Sequence, residues 1–474
     1  MLRPCLPVVF CAVLISVVAA AQNLCPNGTS SDKLICLIPQ VYGSNGLVLE
    51  NIGSQQLGVT GGFQNGLPAS LSPLNSAIAR QAALLPMASP YSGITFSWDP
   101  AAKVFTSSTE SLGPILGERA ETIGKYRVSV GFAYQYFKFD HLDGVNLKAL
   151  PAVFTQPDNV DQAVPGTTCS LSPPDSPANK GSCGFIRDII TTSNRLDLTV
   201  HEFTTFVTFG LTSRIDVSMA IPIENVRMGI SSDATIVDIS NSGLHQFPNQ
   251  ANCDSPCLHT SSSNIRNASG VGDITFRVKG LAWKGERAAL ALGVDVRAPT
   301  GDALNFLGAG AAGVKPFVVW SYRHRISPHA MVGYETNGSS VVDGDITTGR
   351  KAKLPSQLTY SGGADVWITK WLSAAFELVG QQVFEAQRLL TTTFSEPRKC
   401  VDAFCNDLVP VPPPTPTHPD LLPTTGSYNI TNASIGAKIK PTQHLVVTGN
   451  VLLRLNDGGL RSKAIPLVGV SYTF

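Results

Sequence analysis

Apolar and polar residues alternate along much of the chain after Tyr126, and this alternation predicts β-strands. In Tyr126–Tyr136, every second residue is aromatic or apolar, whereas the residues between them are small or polar. Successive side chains of a strand point to opposite faces, so this segment has one apolar and one polar face. The same pattern recurs in Leu196–Phe209, Ile215–Ile230, Asp273–Lys279, Leu290–Arg297, Val314–Arg323, His329–Thr336, Leu358–Ile368, Leu372–Val383, Tyr428–Lys440, Leu445–Leu455 and Pro466–Phe474.

The connections between these twelve segments are alternately short and long. Five short turns alternate with six longer loops, near 141–195, 231–269, 299–313, 337–356, 385–427 and 456–465. Short turns at one end and long loops at the other are typical of a transmembrane β-barrel, whose strands need about 9–11 residues each. We therefore expect an all-β fold with one antiparallel barrel over residues 126–474. A hairpin of Gly93–Asp99 and Lys103–Ser108 would raise the count from twelve strands to fourteen, and both even counts stay open.

The last segment, Pro466–Phe474, indicates how such a barrel would close. Left unpaired, a strand with alternate apolar residues would be an exposed, aggregation-prone edge. Its ending resembles the C-terminal signal of bacterial outer-membrane barrels, in which the barrel-assembly machinery reads a terminal Phe. Tyr472 and Phe474 are the matching residues here. We expect this strand to pair with Leu445–Leu455 and with the first barrel strand, which would place Phe474 at the periplasmic rim.

The first residues, 1–21, predict export. Arg3 supplies a positive start, Leu6–Val18 is an apolar run, and Ala19-Ala20-Ala21 offers a small-residue cleavage site. We therefore expect a cleaved signal peptide and a location in the bacterial outer membrane, with membrane lipid around the barrel. No run of 18 or more apolar residues follows the signal, which argues against a helical membrane protein.

Residues 22–125 lack the alternation of the barrel and predict an N-terminal plug-like segment. One helix is expected from Ser72 to Leu85, because Leu74, Ala77 and Ile78 fall near one face. A barrel leaves such a face few places to be buried other than the lumen. Residues 109–125 are expected to be a helix or a linking segment.

Charge and cysteine content narrow the possible partners. The net charge is +1 and charged residues make up 15% of the chain, below the usual figure of about 25%, so nothing indicates nucleic acid. After signal cleavage eight cysteines remain in local pairs, which favours disulfides that close individual loops in an exported protein. Zinc is disfavoured because no second pair of ligands follows. The expected pairs are Cys25 with Cys36, Cys169 with Cys183, Cys253 with Cys257, and Cys400 with Cys405.

The polar face of the predicted strands would point into the lumen. Charges of both signs there can pair and hold the wall in shape, or can line a path for solute, and the two roles are compatible. The apolar residues Phe317, Val319, Trp367, Val379 and Leu452 fall on the same face and would suit a path for apolar molecules. The lumen-facing candidates are Asp273, Arg277, Lys279, Asp295, Arg297, Asp365, Glu377, Lys438, Asn450 and Arg454.

Two sequence motifs that suggest catalysis or cofactor binding lack the context that either function needs. Gly308–Gly313 matches a dinucleotide-binding pattern but falls between antiparallel strands rather than inside a βαβ unit. His201-Glu202 begins like a zinc-protease motif, but Thr205 stands where the second histidine is needed. There is also no Gly-x-Ser-x-Gly elbow. We therefore expect no enzyme activity and no catalytic, cofactor or metal residue.

Four motifs carry a family resemblance. They are Gly270–Gly280, Ala288–Asp302, Val314–Phe317 and Ser327–Tyr334. Together they resemble the outer-membrane proteins of a meta-pathway of phenol degradation, which are similar in turn to the long-chain fatty-acid transporters of the outer membrane. The resemblance implies a fourteen-strand-like barrel with an N-terminal plug that passes hydrophobic or aromatic molecules. It implies no binding residue, because the motifs are architectural.

The sequence thus predicts an outer-membrane channel for passive uptake of small hydrophobic or aromatic compounds, without a cofactor. Two alternatives stay open. One is a structural or adhesive barrel whose extracellular loops bind an outside partner, and the other is a barrel-embedded hydrolase.

Overall fold

A computed structural model gives the fold of this protein. It describes residues 24–51, 74–78, 96–99, 104–107, 112–154, 189–237, 245–248, 253–395, 398–400, 408–410, 413 and 416–474, apart from residues 27, 45, 48–49, 76, 254–255 and 347. The predicted signal peptide lies outside the described residues.

Two of the four predicted cysteine pairs fall wholly or partly outside the described residues. Cys169 and Cys183 both lie there, and so does Cys405, the expected partner of Cys400. The disulfide expected between Cys169 and Cys183 and the one expected between Cys400 and Cys405 therefore stay predictions.

Twelve antiparallel strands close into one barrel, in which each strand pairs with its neighbours in sequence. The connections after β2, β4, β6, β8 and β10 are short, and the others are long. The strands are β1 (Val128–Leu142), β2 (Ile189–Gly210), β3 (Ile215–Val237), β4 (Thr275–Lys284), β5 (Ala288–Arg297), β6 (Gly313–Tyr322), β7 (Ile326–Asn337), β8 (Gln357–Thr369), β9 (Leu372–Ser395), β10 (Thr417–Ile439), β11 (Leu445–Arg454) and β12 (Ala464–Thr473).

The C-terminal strand closes the barrel as predicted. On one side Tyr472 of β12 pairs with Leu445 of β11, and on the other side it pairs with Val130 of β1. The backbone N–H of Phe474 donates to the carbonyl of Val128 over 2.8 Å, so the chain ends at the short-turn end. The predicted count of twelve is confirmed, and the fourteen strands implied by the family resemblance are wrong. Phe96–Asp99 and Val104–Ser107 instead pair with each other in a separate sheet.

Four strands run well past the ends that the sequence predicted. β3 has 23 residues and β9 has 24, whereas about 9–11 suffice to cross a membrane. The extra residues lie toward the long loops, where both faces of a strand can be polar and the apolar alternation is lost. Pro419 and Pro423, expected in a loop, lie within β10 and pair with β9 in this extension. Pro has no backbone N–H to donate, and it is tolerated in this extension because a strand edge there needs no further partner.

The long connections also contain structure that their sequences did not predict. One strand, His259–Val271, continues the line of β4 and pairs with the upper part of β3. β7 begins at Ile326, three residues before the start predicted from the sequence, so the short turn lies at residues 323–325 and Ser327 and Pro328 belong to β7. The other short elements are the strands Glu50–Asn51, Val145–Asn146, Leu150–Phe154, His245–Gln246, Ser339–Asp345, Arg350–Lys353, Arg398–Cys400, Leu408–Pro410 and Leu460–Ser462, and the 3₁₀ turns Leu34–Cys36 and Ala303–Asn305.

The outer face of the barrel is apolar, as a lipid-facing surface requires. The side chains of Phe132, Phe276, Leu292 and Val468 are between 47% and 58% exposed, although they are large and apolar. Tyr126 stacks on Phe209 at the short-turn end of this face, where an aromatic girdle is expected. The fold is therefore that of an outer-membrane β-barrel. Among the described residues, no helix is long and apolar enough to span a membrane.

N-terminal residues occupy the interior of the barrel toward the long loops. Leu34–Ile38 are fully buried there among inward-facing side chains such as Leu198, Met228 and Leu452. Leu74, Ala77 and Ile78, on the predicted helix face, are buried in the same cluster. Disulfides join Cys25 to Cys36 and Cys253 to Cys257, as predicted, and each has a Cα–Cα distance of 5.4 Å.

Candidate functional site in the barrel lumen

Residues 112–124, here called the crossing segment, form the lower layer of the lumen. The segment joins β1 at the short-turn end, where Gly124 lies against Gly210 of β2. A Cβ atom on Gly210 would lie 1.8 Å from the carbonyl oxygen of Gly124, so only glycine allows this approach. From there the segment passes inward-facing side chains of β3, β4, β6, β8, β9 and β10, to which it is bound.

Glu118 is the acidic centre of one ion-pair network. Its carboxylate lies 2.5 Å from Arg277 and 2.9 Å from Lys279, and all three side chains are largely buried. Lys279 also donates to the carbonyls of Arg119 and Glu121, over 2.8 and 3.0 Å. Arg277 in turn makes a bidentate pair with Asp295 across β4 and β5, over 2.7 and 2.8 Å. These buried, hydrogen-bonded charges fix the crossing segment to the wall, because either partner left alone would be an uncompensated charge.

Glu377 of β9 holds the start of the segment through its backbone. The carboxylate accepts hydrogen bonds from the N–H groups of Leu116 and Gly117, over 2.9 and 2.8 Å, and from that of Ile115 over 3.3 Å. His329 Nε2 lies 3.0 Å from the same carboxylate. A Cβ atom on Gly117 would lie 2.9 Å from both Glu377 and His329, so a larger residue would separate this contact.

Two further pairs complete the lower layer. Arg119 reaches Asp365 of β8 over 3.2 Å, and both side chains are buried. Lys438 of β10 donates to the carbonyls of Leu112 and Pro114, over 3.3 and 2.5 Å. The segment therefore contacts opposite parts of the wall through charges of both signs.

A second polar cluster lies at the other end of β5, toward the long loops. Arg297 donates to Asp273 over 2.8 Å and to Asn337 over 2.6 Å, and lies 3.3 Å from Glu335. Asp273 also accepts from the backbone N–H groups of Gly301 and Ala309. This cluster fixes the loop between β5 and β6 against the wall.

Two buried carboxylates between these clusters have no cationic partner in the described part of the chain. Glu202 of β2 and Glu224 of β3 are directly opposite each other and only 2% and 3% exposed. Thr204 donates to Glu202, but one oxygen of each carboxylate has no hydrogen bond among the described residues. An uncompensated carboxylate is unfavourable in a dry interior, so these two side chains form a polar level of the lumen.

Apolar side chains line two parts of the lumen. Phe317, with Leu281 and Val319, packs on Ala120 of the crossing segment. Toward the long loops, the N-terminal core cluster is joined to the wall by Lys33, whose ammonium lies 2.7 Å from Asp302. Burial raises the pKa of Asp302, but the hydrogen bond and charge of Lys33 outweigh it and hold this pKa below its usual value. The lumen thus has a large apolar cluster toward the long loops, a polar level at Glu202 and Glu224, and a layer at the crossing segment where ion pairs and a smaller apolar cluster lie together.

The structure places the sequence-predicted residues away from the lipid face. Of the ten charged or polar candidates, all except Arg454 take part in the contacts described above or are buried close to them. Asn450 is one of these nine, and its side-chain oxygen accepts a hydrogen bond from Ser434 over 3.1 Å. Arg454 lies at the rim, where it pairs with Asp140 over 3.2 Å. Among the apolar candidates, Phe317, Val319 and Leu452 are buried, whereas Trp367 and Val379 are half-buried.

Sequence reasoning missed the crossing segment, which is neither helical nor a simple linker. The available signal was the group Glu118-Arg119-Ala-Glu121, whose charges lie among Leu112, Ile115 and Ile123. Charged residues in an otherwise apolar stretch suit a buried position opposite complementary charges. The charged residues predicted to face the lumen include the binding partners of the crossing segment. No pattern along the chain linked the segment to these residues.

The structure shows where the two motifs that suggested zinc and dinucleotide binding lie. His201 is on the outer face of β2 and Glu202 on the inner face, so they cannot form one metal site. Gly308–Gly313 forms the end of the loop between β5 and β6. Within the described part of the chain, no group of three or more His, Cys, Asp or Glu residues could hold a metal ion.

Comparison with known proteins gives one family match. Residues 197–384 match the sequence model of the family described as "Putative MetA-pathway of phenol degradation", whereas no curated protein matches the chain.

Among solved structures, an outer membrane channel from Pseudomonas putida F1 aligns over 75% of this chain and 98% of its own, at 12% identity and a TM-score of 0.41. The NanC porin aligns over 58% and 93%, at 9% identity and a TM-score of 0.32. A FadL homologue from Pseudomonas aeruginosa aligns over 73% and 88%, at 9% identity and a TM-score of 0.27. The family match confirms the resemblance carried by the motifs of β4–β7, so residues 197–384 are similar to the outer-membrane proteins of phenol degradation.

Proposed function

We propose that this barrel is an outer-membrane channel for passive uptake of small hydrophobic or aromatic compounds, and that residues 22–125 act as its plug. The observation that carries the proposal is the crossing segment, which is bound to inward side chains of β3, β4, β6, β8, β9 and β10. Hydrogen bonds, ion pairs and apolar packing hold the segment in place, and releasing them needs no covalent change.

The layers of the lumen support an apolar solute. In this proposal a solute enters from the long-loop end, where Leu34–Ile38 and the surrounding wall are apolar. It then passes the polar middle level and reaches the crossing segment beside Phe317 and Val319. Displacement of the segment opens the short-turn end. The family description names phenol degradation, and phenols are small aromatic molecules of the proposed class.

The hydrolase alternative rests on one grouping of side chains, and its geometry does not favour catalysis. His329 lies 3.0 Å from Glu377 and 3.7 Å from Asp365. The nearby hydroxyl of Ser434 donates to Glu377 over 3.4 Å rather than to the imidazole. Both carboxylates also hold the crossing segment, so the grouping is occupied by structural contacts.

A reversible tether tests the proposal. The backbone N–H of Ala120 donates to Ser321 Oγ over 3.3 Å, so the two residues are neighbours and a disulfide between Ala120→Cys and Ser321→Cys would join the segment to β6. We expect the oxidised double variant to take up phenol and a medium-chain fatty acid more slowly in proteoliposomes, and a mild reductant to restore uptake. Each single cysteine variant serves as a control for the reductant. Equal uptake with the tether closed and open, with the cross-link verified by mass spectrometry, would contradict the proposal.

A further inference from the structure

The outer face of β1–β3 carries side chains whose chemistry changes in steps along the strands. Tyr134 of β1 is opposite Phe203 of β2, and their rings lie 4.8 Å apart. Two residues farther along, Tyr136 is opposite His201, whose Nδ1 lies 2.8 Å from the hydroxyl of Tyr134. Such rings mark the boundary between hydrocarbon and headgroups, because their apolar bodies and polar tips suit that level.

Two of the next outward-facing side chains along the strands are basic. Thr199 of β2 is opposite Lys138 of β1 on one side and opposite Arg227 of β3 on the other. Lys138 and Arg227 are exposed on the outer face, and neither has an ion-pair partner among the described residues. Neighbouring strands are about 4.8 Å apart, so the two Cα atoms are about 10 Å apart and their long side chains can converge over the Thr199 hydroxyl. Lys138, Thr199 and Arg227 are here called the basic row.

The height of the basic row places it at a membrane surface. Thr199 lies ten positions before Phe209, the aromatic residue of the girdle at the short-turn end. Ten residues of a strand tilted by about 40° rise roughly 25 Å, which is the height of the apolar band of an outer-membrane barrel. With the short turns in the periplasm, the basic row therefore lies among the headgroups of the outer leaflet.

The acidic groups nearest to the basic row are already paired with other cations. Asp140 lies 3.2 Å from Arg454 and 3.1 Å from His141, and Asp197 lies 3.9 Å from Lys148. Glu202 points to the lumen, on the opposite face of β2. The charge that the row presents to the membrane is thus positive.

We propose that the basic row binds a phosphate group of a glycolipid headgroup in the outer leaflet. The ammonium of Lys138, the guanidinium of Arg227 and the hydroxyl of Thr199 are all donors that suit phosphate oxygens. The aromatic residues beneath them contact the acyl chains of the same lipid. The contact anchors the wall at β1–β3, beside the strands that close the barrel.

Native mass spectrometry of the detergent-purified full chain tests the proposal with bisphosphorylated lipid A as the probe. We expect Lys138→Ala with Arg227→Ala to lower lipid A binding at least tenfold, and Lys138→Arg with Arg227→Lys to retain most of it. The control is Arg214→Ala with Lys370→Ala, which removes the same charge from exposed short turns at the opposite end. A heat-dependent shift in gel mobility verifies that each variant is folded.

The nature of the ligand is decided by two further probes. Dephosphorylated lipid A should bind the wild-type chain as weakly as lipid A binds the double alanine variant. Inorganic phosphate, at the same concentration as lipid A, should not displace lipid A from the wild-type chain. The proposal is overturned if the double alanine variant binds lipid A normally, or if dephosphorylated lipid A binds equally well. Effective competition by inorganic phosphate would also overturn it, because the row would then bind a soluble anion.

Discussion

Glu118 provides the sharpest test of how the crossing segment is held, and the expected effect of Glu118→Gln follows from its contacts. The substitution removes the charge that pairs with Arg277 at 2.5 Å and with Lys279 at 2.9 Å, but keeps the side-chain shape. Arg277 retains Asp295, whereas Lys279 retains backbone carbonyls and Asp216, 3.9 Å away. Breaking one partner of a buried pair costs about 3–5 kcal/mol, and the retained contacts favour the lower end.

A loss of about 3 kcal/mol changes an equilibrium by roughly 150-fold. We therefore expect Glu118→Gln to open far more often than the wild type in planar bilayer recordings, by up to this factor. Glu286→Gln is the matched control, because Glu286 is exposed in the short turn between β4 and β5. Lys279→Met should also increase opening, and the double variant should show less than the sum of the two effects, since both remove one interaction. Unchanged opening in a correctly folded Glu118→Gln variant would refute the reasoning.

Three further predictions concern other parts of the barrel. Glu224→Gln should raise the thermal stability of the purified protein, because it removes an uncompensated buried carboxylate. Glu335→Gln should lower the thermal stability, because it deprives Arg297 of a partner. The opposite order of stabilities would contradict the description of Glu224 as uncompensated and Glu335 as paired. Gly210→Ala should displace the crossing segment and increase bilayer conductance, whereas an alanine at Gly449, which has open space, should not. The lowered pKa of Asp302 means that its link to Lys33 contributes above the usual pKa of aspartate, about 3.9, and is lost as the pH falls through the lowered value. Hydrogen exchange at Leu34–Ile38 should therefore rise by a small factor in strong acid, and Asp302→Asn should already show that rise at neutral pH.

The barrel wall could be predicted from the sequence because one physical rule governs every strand within the membrane. Lipid on one face and lumen on the other impose a period of two, and the short turns then fix the order and register of the strands. The rule weakens where the strands leave the membrane, which is why β2, β3, β9 and β10 are longer at their long-loop ends than the sequence predicts. Water contacts the outer face there, so Ser, Thr and Pro replace the apolar residues.

The contents of the lumen follow a different rule. Asp365, Glu377 and Lys438 could be assigned to the inner face from strand parity, but parity says nothing about what an inner side chain contacts. The partners of Glu377 and Lys438 in the crossing segment are backbone N–H and carbonyl groups, which leave no pattern in the sequence. The disulfides Cys25–Cys36 and Cys253–Cys257 could be predicted because each closes a short local loop.

The crossing segment has a consequence for the order in which the protein assembles. It precedes β1 and is therefore exported first, yet its residues bind side chains that follow much later, 262 residues on at Glu377 and 326 at Lys438. Contacts so distant in sequence form slowly, because the intervening chain must be ordered before they contribute. The segment cannot reach its final position until β10 is in place. The newly inserted barrel should therefore pass through a state that leaks small ions, until the segment docks and the leak ends.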